Sequence, residues 1–307
     1  MIYTCTLNPS MDYRMKLSHF EKNGLNRAND ASLFPGGKGV NVSIVLKNLG
    51  DDSVPLGFQG GAGGAMLTDR LRECHGVTPD FVHIGNETRI NVKLKEAGHQ
   101  KETEINAPAP KVKEDEYEML LDKIKKLDQK DMLVLAGSDV YRDSRSYADI
   151  MEICGKGSVP FIIDGEWKSI PVSLKHGPLL IKPNLRELEM IEGRSLEHEK
   201  DIVKAGKRLL VDGARHVIVS MGAKGAYFLG DEGTYHAAAL DGEVLNAVGA
   251  GDSMVAGFIH GYIHEHDLLE AFRWSLAAGC ASAFSEGFAD MSTIETYLDS
   301  VNIKKVE

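Results

Sequence analysis

The chain has 307 residues, of which 43% are hydrophobic and 26% charged, and its formal net charge is −10. That composition is ordinary for a globular protein and leaves room for one large α/β domain or two modest ones. Apart from the terminal "IKKVE" there is no block of Lys and Arg, so an acidic surface of this kind repels nucleic acid and anionic lipid, and neither is an expected partner.

No segment approaches the length of a membrane span, and "MIYTCTLNPS" lacks the basic start and apolar core of a secretory signal. Four cysteines, Cys5, Cys74, Cys154 and Cys280, form no C-x-x-C pair and read as buried, reduced thiols. The expectation is a cytoplasmic protein.

In chain order, the first apolar run leads into "NPSMD" rather than a G-x-G-x-x-G turn, which disfavours a dinucleotide-binding protein. "YRMKLSHF" and "ANDASLF" are strand-like. "PGGKGVNVSIVLKNLG", from Pro35 to Gly50, places Gly36, Gly37 and Gly39 before a helix with Val40, Ile44, Val45 and Leu49 on related faces. Lys38 sits among these glycines and Asn41 one turn inside; the alternative is a flexible turn with a solvated lysine. From Glu87 to Ile105, "ETRINVKLKEAGHQKETEI" alternates β-branched and charged residues around "EAGH", the pattern of a hairpin with one exposed side. These pieces read as a small discontinuous β lid, residues 11–35 and 87–107, on a single domain spanning 1–307. An edge extension of the main sheet is the alternative. "EDEYEMLLDKIKKL" then precedes "MLVLAG", "SYADIMEICGKG" precedes "VPFIIDG", and "EKDIVKAGKRLLVDG" precedes "HVIVSMG". Amphipathic helices alternating with short apolar strands predict an α/β fold, its parallel sheet covered on both faces.

Two further stretches carry chemistry. In "LLIKPNLRELEMIEG" a strand ends at Lys182-Pro183-Asn184 and Glu187 lies one turn on. Oxygens so spaced suit a hydrated Mg²⁺ and, equally, a capping box with Asn184 as cap and Glu187 as its N3 partner. "VSMGAKGAYFLG" reads as strand, turn, strand. In "LNAVGAGDSMVAGF", Gly249, Ala250 and Gly251 precede Asp252 and a helix over Ser253–Ile263. Unpaired N–H groups and the helix dipole there favour an anion, and no Gly-Lys-Ser/Thr follows to make a P-loop. Asp252 is either a helix cap or a chemical group; the run of small residues favours chemistry, because a cap does not require it.

In this order, "TLNPSMD", "GGKGVN", "TRINVK", "KPNLRELE", "SMGAKGA" and "GAGDSMVAGF" resemble the phosphofructokinase-B branch of the ribokinase superfamily across nearly the whole chain. "NPSMD", "TRINVK" and "TEIN" are most similar to its 1-phosphofructokinase subgroup. The resemblance implies a ribokinase-like three-layer α/β fold with a mostly parallel central sheet and a β-sheet lid, which often pairs with a second lid in a homodimer. It implies that Asp252 is the catalytic base and that Gly249, Ala250 and Gly251 form the anion hole. Asp12, Gly37, Lys38 and Asn41 would meet the sugar, Arg27 and Arg89 its phosphate with Asn91 nearby, and Ser138 would lie at the cleft. Lys182, Asn184, Ser220, Gly222 and Gly225 would face ATP, and Glu187 would organise Mg²⁺ through water. Members commonly carry Thr or Ser where this chain has Ala247, and some an Asp where it has Asn246, so no monovalent cation is expected from the motif. The implied reaction is ATP-dependent phosphorylation of fructose 1-phosphate at O6. Tagatose 6-phosphate and fructose 6-phosphate are the alternative substrates, and an idle sugar-phosphate sensor is the alternative outside catalysis.

Overall fold

The computed structural model describes residues 1–98, 102–139 and 145–306, with the side chains of 145 and 146 excepted. The chain opens with β1 (Ile2–Thr6), β2 (Ser10–Leu17), β3 (Asp30–Gly36), α1 (Lys38–Asn48), β4 (Ser53–Gln59), α2 (Gly61–His75) and β5 (Val82–His83). It continues through β6 (Arg89–Glu96), β7 (Thr103–Ile105), α3 (Glu114–Ile124), β8 (Met132–Gly137), α4 (Arg145–Gly157), β9 (Phe161–Gly165) and α5 (Ser169–Leu174). The last part comprises β10 (Leu180–Ile181), α6 (Leu185–Glu192), α7 (Glu199–Val211), β11 (His216–Ser220), β12 (Ala226–Gly230), β13 (Gly233–Ala237), α8 (Ala250–His264), α9 (Leu268–Ala283), α10 (Met291–Leu298) and β14 (Ile303–Lys305).

The described residues form a ten-stranded sheet in the order β14-β13-β12-β11-β10-β9-β8-β1-β4-β5. From β11 to β5 every neighbour is parallel, and β12, β13 and β14 add an antiparallel edge. The central strands alternate between two cores. In β8, Leu133 and Leu135 face a layer with Tyr117 of α3, Ile150 of α4 and Ile202 of α7. Met132, Val134 and Ala136 face the opposite layer with Val45 of α1, Phe258 of α8 and Phe272 of α9. Burial on both faces is why these strands read as unbroken apolar runs.

Helices α8 and α9 lie unusually close. A Cβ at Gly257 would stand 2.4 Å from the Trp274 carbonyl oxygen, so only glycine fits that crossing. Their sequences are apolar on nearly every side because both are packed beneath the sheet.

The predicted lid is a separate four-stranded sheet in the order β3-β2-β6-β7, with β2 and β6 parallel and the outer pairs antiparallel. His99, in the expected "EAGH" turn, lies outside the described residues. Met11 from the lid packs with Val40, Ile44, Leu67 and Leu71, anchoring it to α1 and α2. Cys5, Cys154 and Cys280 are buried as expected, but Cys74 is exposed. The buried stripe of α2 runs through Gly63, Leu67 and Leu71 to half-buried His75 and passes Cys74 by. Among the described residues, no helix is long and apolar enough to cross a membrane.

Candidate active site

Strand order reverses about β1, and the carboxyl ends of β11, β10, β9, β8 and β1 open there into one cleft, the usual ligand position in a doubly wound sheet. Its volume is about 940 Å³. Ser138 follows β8, Lys182 follows β10 and Ser220 ends β11, while Asp12, Arg89 and Asn91 reach in from the lid. Gly37, Lys38 and Asn41 come from the start of α1, and Gly249, Ala250, Gly251 and Asp252 from the start of α8. Asn184, Glu187, Gly222 and Gly225 complete the lining beside Lys182. Arg27 alone of the predicted residues is not brought in: it is exposed on the loop between β2 and β3.

Helix α8 begins with Gly249 as its N-cap at φ 81°, a left-handed conformation. A Cβ there would also stand 2.4 Å from the Phe288 ring, which accounts for glycine at this position. The N–H groups of Gly251 and Asp252 have no backbone acceptor among the described residues and so are available to an anion. Asp252 sits in the first turn, yet its side chain does not cap the helix. Its Oδ2 accepts from Asn41 Nδ2 at 2.7 Å, joining the first turns of α1 and α8.

Asp252 is almost fully buried, at 5% exposure. Burial first, then the nearby Asp164 carboxylate, push its carboxyl up to about 6, against the opposing pull of Lys38, the Asn41 hydrogen bond and Lys182. An acid ionised at neutral pH yet this basic is suited to accept a proton from a sugar hydroxyl.

Asp164, at the carboxyl end of β9, was not singled out by the sequence reading. Its Oδ1 accepts from Lys38 Nζ at 3.0 Å, and Lys182 Nζ lies 3.3 Å from Oδ2, an ionic contact rather than an aligned hydrogen bond. Burial would raise its carboxyl, but the Lys182 and Lys38 ammonium groups overcome this and hold it low. Lys38 is pulled down by burial and pushed up more strongly by Asp164, Asp252 and Glu187, so it stays charged. The only sequence signal was an acid closing the apolar run "VPFIIDG".

Asn184 and Glu187 form the capping box of α6. The Asn184 side chain accepts from Glu187 N at 2.9 Å, and Glu187 Oε2 accepts from Asn184 N at 2.8 Å. The other carboxylate oxygen stays in the cleft, 3.9 Å from Lys38 Nζ. Capping and cleft roles therefore coexist in one side chain. Among the described residues, no three His, Cys or carboxylate ligands converge in the cleft. Its carboxylates fit a Mg²⁺ held mostly by water and phosphate oxygens, not a protein cage.

At the lid end, Arg89 donates to the carbonyls of Asn8 and Ala107 at 3.1 and 3.3 Å, and its buried Nε has no partner. Asn91 donates to Asp12 Oδ1 at 2.9 Å, and Lys93, also missed in the sequence, pairs with Asp12 Oδ2 at 3.1 Å. On an alternating strand Lys93 reads as one more solvated charge; the register puts it on the cleft side with Asn91 and Asp12.

Residues 6–295 match the pfkB family of carbohydrate kinases. The chain belongs to that family. It is 38% identical to the 1-phosphofructokinase of Bacillus subtilis, with all of both chains covered. It is 34% identical to the D-tagatose-1-phosphate kinase of Bacillus licheniformis, with 99% of each covered. Escherichia coli phosphofructokinase-2, solved in complex with substrates and products, superposes with a TM-score of 0.92 at 26% identity over 98% of this chain and 99% of that one. The pfkB-family chain is thus an ATP-dependent sugar kinase with the ribokinase-like fold its motifs implied.

Proposed function

We propose that this kinase phosphorylates fructose 1-phosphate at O6 to give fructose 1,6-bisphosphate. The observation carrying the reading is one cleft that holds, at its lid, a guanidinium with an unpartnered buried N–H and, at the start of α8, a proton-accepting carboxylate beside free backbone amides. Arg89 would take the existing phosphate by a charge-assisted contact, while Asn91, Asp12 and Lys93 hold the sugar hydroxyls. Asn41 orients Asp252, which takes the proton from the attacking O6 hydroxyl as it meets the γ-phosphate of ATP. The free amides of Gly251 and Asp252 in the Gly249–Asp252 turn, with Lys38 and Lys182, stabilise charge on the group in flight. Asp164, in the wall of the cleft, positions the two lysines. Asn184, Ser220, Gly222 and Gly225 line the nucleotide end. Glu187 would hold Mg²⁺ through water, and the ion would neutralise phosphate charge.

Support for the 1-phosphate comes from the name of the Bacillus subtilis relative and from "NPSMD" and "TRINVK" in this chain. The tagatose 1-phosphate reading is favoured by the Bacillus licheniformis relative, and the two sugars differ only in configuration at one carbon. A coupled ADP-release assay over fructose 1-phosphate, tagatose 1-phosphate, tagatose 6-phosphate and fructose 6-phosphate separates them. The highest kcat/KM should fall on fructose 1-phosphate; a higher value on any of the others replaces it.

The lid exposes Leu25, Phe34, Ile90 and Ile105, and a second copy covering them gives a homodimer. In such a dimer Arg27, which its own cleft does not use, would be offered to the partner's sugar phosphate. Escherichia coli phosphofructokinase-2 has also been solved as a tetrameric inhibited form, so higher assembly is the alternative for this chain.

A further inference from the structure

Far from the cleft, the other ends of α1 and α8 carry a second polar cluster. Asp51, just after α1, places Oδ2 2.7 Å from Nδ1 of His260 and Oδ1 2.8 Å from Nε2 of His264. The histidines are four residues apart on α8, so their rings share a face, with centroids 4.5 Å apart. Asp51 and His260 are nearly enclosed, with side chains 11% and 7% exposed, and the Trp274 ring meets His260 edge-on at 4.5 Å. His264 is half exposed and leaves one flank open to water. One donor atom from each of the three residues lies within 4.8 Å of the other two.

Phosphoryl transfer does not use this cluster. Asp252 begins α8 and the histidines close it, roughly 12–18 Å further along the helix axis. Charge at a helix C-terminus explains one histidine there, since a cation offsets the dipole. It does not explain two imidazoles whose nitrogens converge, through opposite ring atoms, on one enclosed carboxylate.

We propose that Asp51, His260 and His264 form a binding site for a divalent transition-metal ion of the zinc class. Two imidazole nitrogens and one carboxylate oxygen are the donor set of Zn²⁺ and Co²⁺, whereas Mg²⁺ prefers oxygens alone. The ion takes Nδ1 of His260 and Nε2 of His264, each neutral ring carrying its proton on the other nitrogen. With bonds of about 2.0–2.1 Å, ligand atoms around a tetrahedral ion stand roughly 3.3 Å apart; the three donor atoms lie within 4.8 Å of one another, so side-chain adjustments of up to about 1.5 Å gather them around one ion. Water fills the fourth position on the His264 flank. The ion ties the segment after α1 to the end of α8, and these two helices present Lys38, Asn41 and Asp252 at their opposite ends. Occupancy therefore stiffens the frame behind the catalytic carboxylate from outside the substrate site.

The test is titration of chelator-treated full-length protein with Co²⁺, read by visible ligand-field absorption, and with Zn²⁺, read by calorimetry and thermal melting. One equivalent should bind, Tm should rise with Zn²⁺, and Mg²⁺ at the same concentration should reproduce neither effect. His264→Ala, at a half-exposed position that folding tolerates, should weaken binding at least as much as the roughly 10- to 100-fold that follows loss of an outer-shell partner. Asp51→Asn should do the same. Equal Zn²⁺ affinity in wild type and His264→Ala, or no Co²⁺ spectrum in the wild type, would overturn the site. Because the readouts are binding and melting, the proposal stands or falls independently of which sugar phosphate is the substrate.

Discussion

At the scale of single residues, the chemistry turns on the balance of charge around Asp252. Its carboxyl titrates at about 6, so the free enzyme loses its base as pH falls through that value. kcat/KM should drop about tenfold per pH unit below it. Asp252→Asn should lower kcat by about 10²–10⁴-fold with modest change in either KM. The linkage to stability has the opposite sign. Because the folded pKa lies above the unfolded one, ionised Asp252 disfavours the fold increasingly from about pH 4 to about pH 6 and by a constant amount above. Asp252→Asn should therefore melt no lower than wild type at pH 7.5, and the difference should vanish near pH 4. Near-wild-type turnover in this variant would return Asp252 to a merely structural role. Asp164→Asn tests the neighbouring charge. Removing that carboxylate, and leaving Lys38 and Lys182 unopposed, should move the acid limb of kcat/KM to lower pH. The same change leaves Lys182 buried without its counterion, at a cost of roughly 3–5 kcal/mol, so Tm should fall. A limb that stays in place would detach Asp164 from the tuning of Asp252.

At the scale of elements, two helix starts and one helix crossing do most of the positioning. α1 and α8 meet through Asn41 and Asp252, and α8 is pressed onto α9 at Gly257. Alanine is the better helix former by up to about 1 kcal/mol, but here its Cβ would meet backbone that cannot swing aside. Gly257→Ala should therefore cost about 1–3 kcal/mol net, seen as a Tm lower by several degrees. An unchanged melt would show that the two helices separate freely. The start of α6 has a dual duty that separate readouts can resolve. Glu187→Gln retains a capping-box acceptor, so Tm should hold, while loss of the charge beside Lys38 should raise the Mg²⁺ concentration needed for half-maximal rate. A held Tm with unchanged metal dependence would leave Glu187 as a cap alone.

At the scale of the whole molecule, the lid is the unfinished surface. β3 and β7 are its outer strands, and Leu25 and Ile105 are 77% and 55% exposed. Strand edges beside apolar side chains favour association. Light scattering at micromolar concentration should give a dimer, and Ile105→Glu should shift it toward monomer. A fully active wild-type monomer would refute the assembly.

Much of this protein is legible without its coordinates. Helix–strand alternation announces itself because periodicity is carried by neighbours, and β8 occupies the very run "MLVLAG". Gly249 and its companions are likewise visible, because a backbone that must turn left-handed before a helix restricts residue type locally. Asp164 and Lys93 stayed hidden: one closes an apolar strand, the other alternates on a polar one, and neither pattern tells a cleft from solvent. For Asp252 the run of small residues favoured chemistry over a cap, but nothing local showed what the carboxylate faces. Its partner Asn41 is 211 positions away, and the Lys38–Asp164 pair spans 126. Only the parallel sheet, gathering strand ends at one edge, brings such charges together. Local propensity alone makes the helix–strand alternation of the central chain, the lid strands and the glycine-rich helix starts readable from residue order. Tertiary structure alone decided which carboxylate is desolvated, which lysines stay charged and which histidines converge, because burial and Coulomb interaction depend on distance through space.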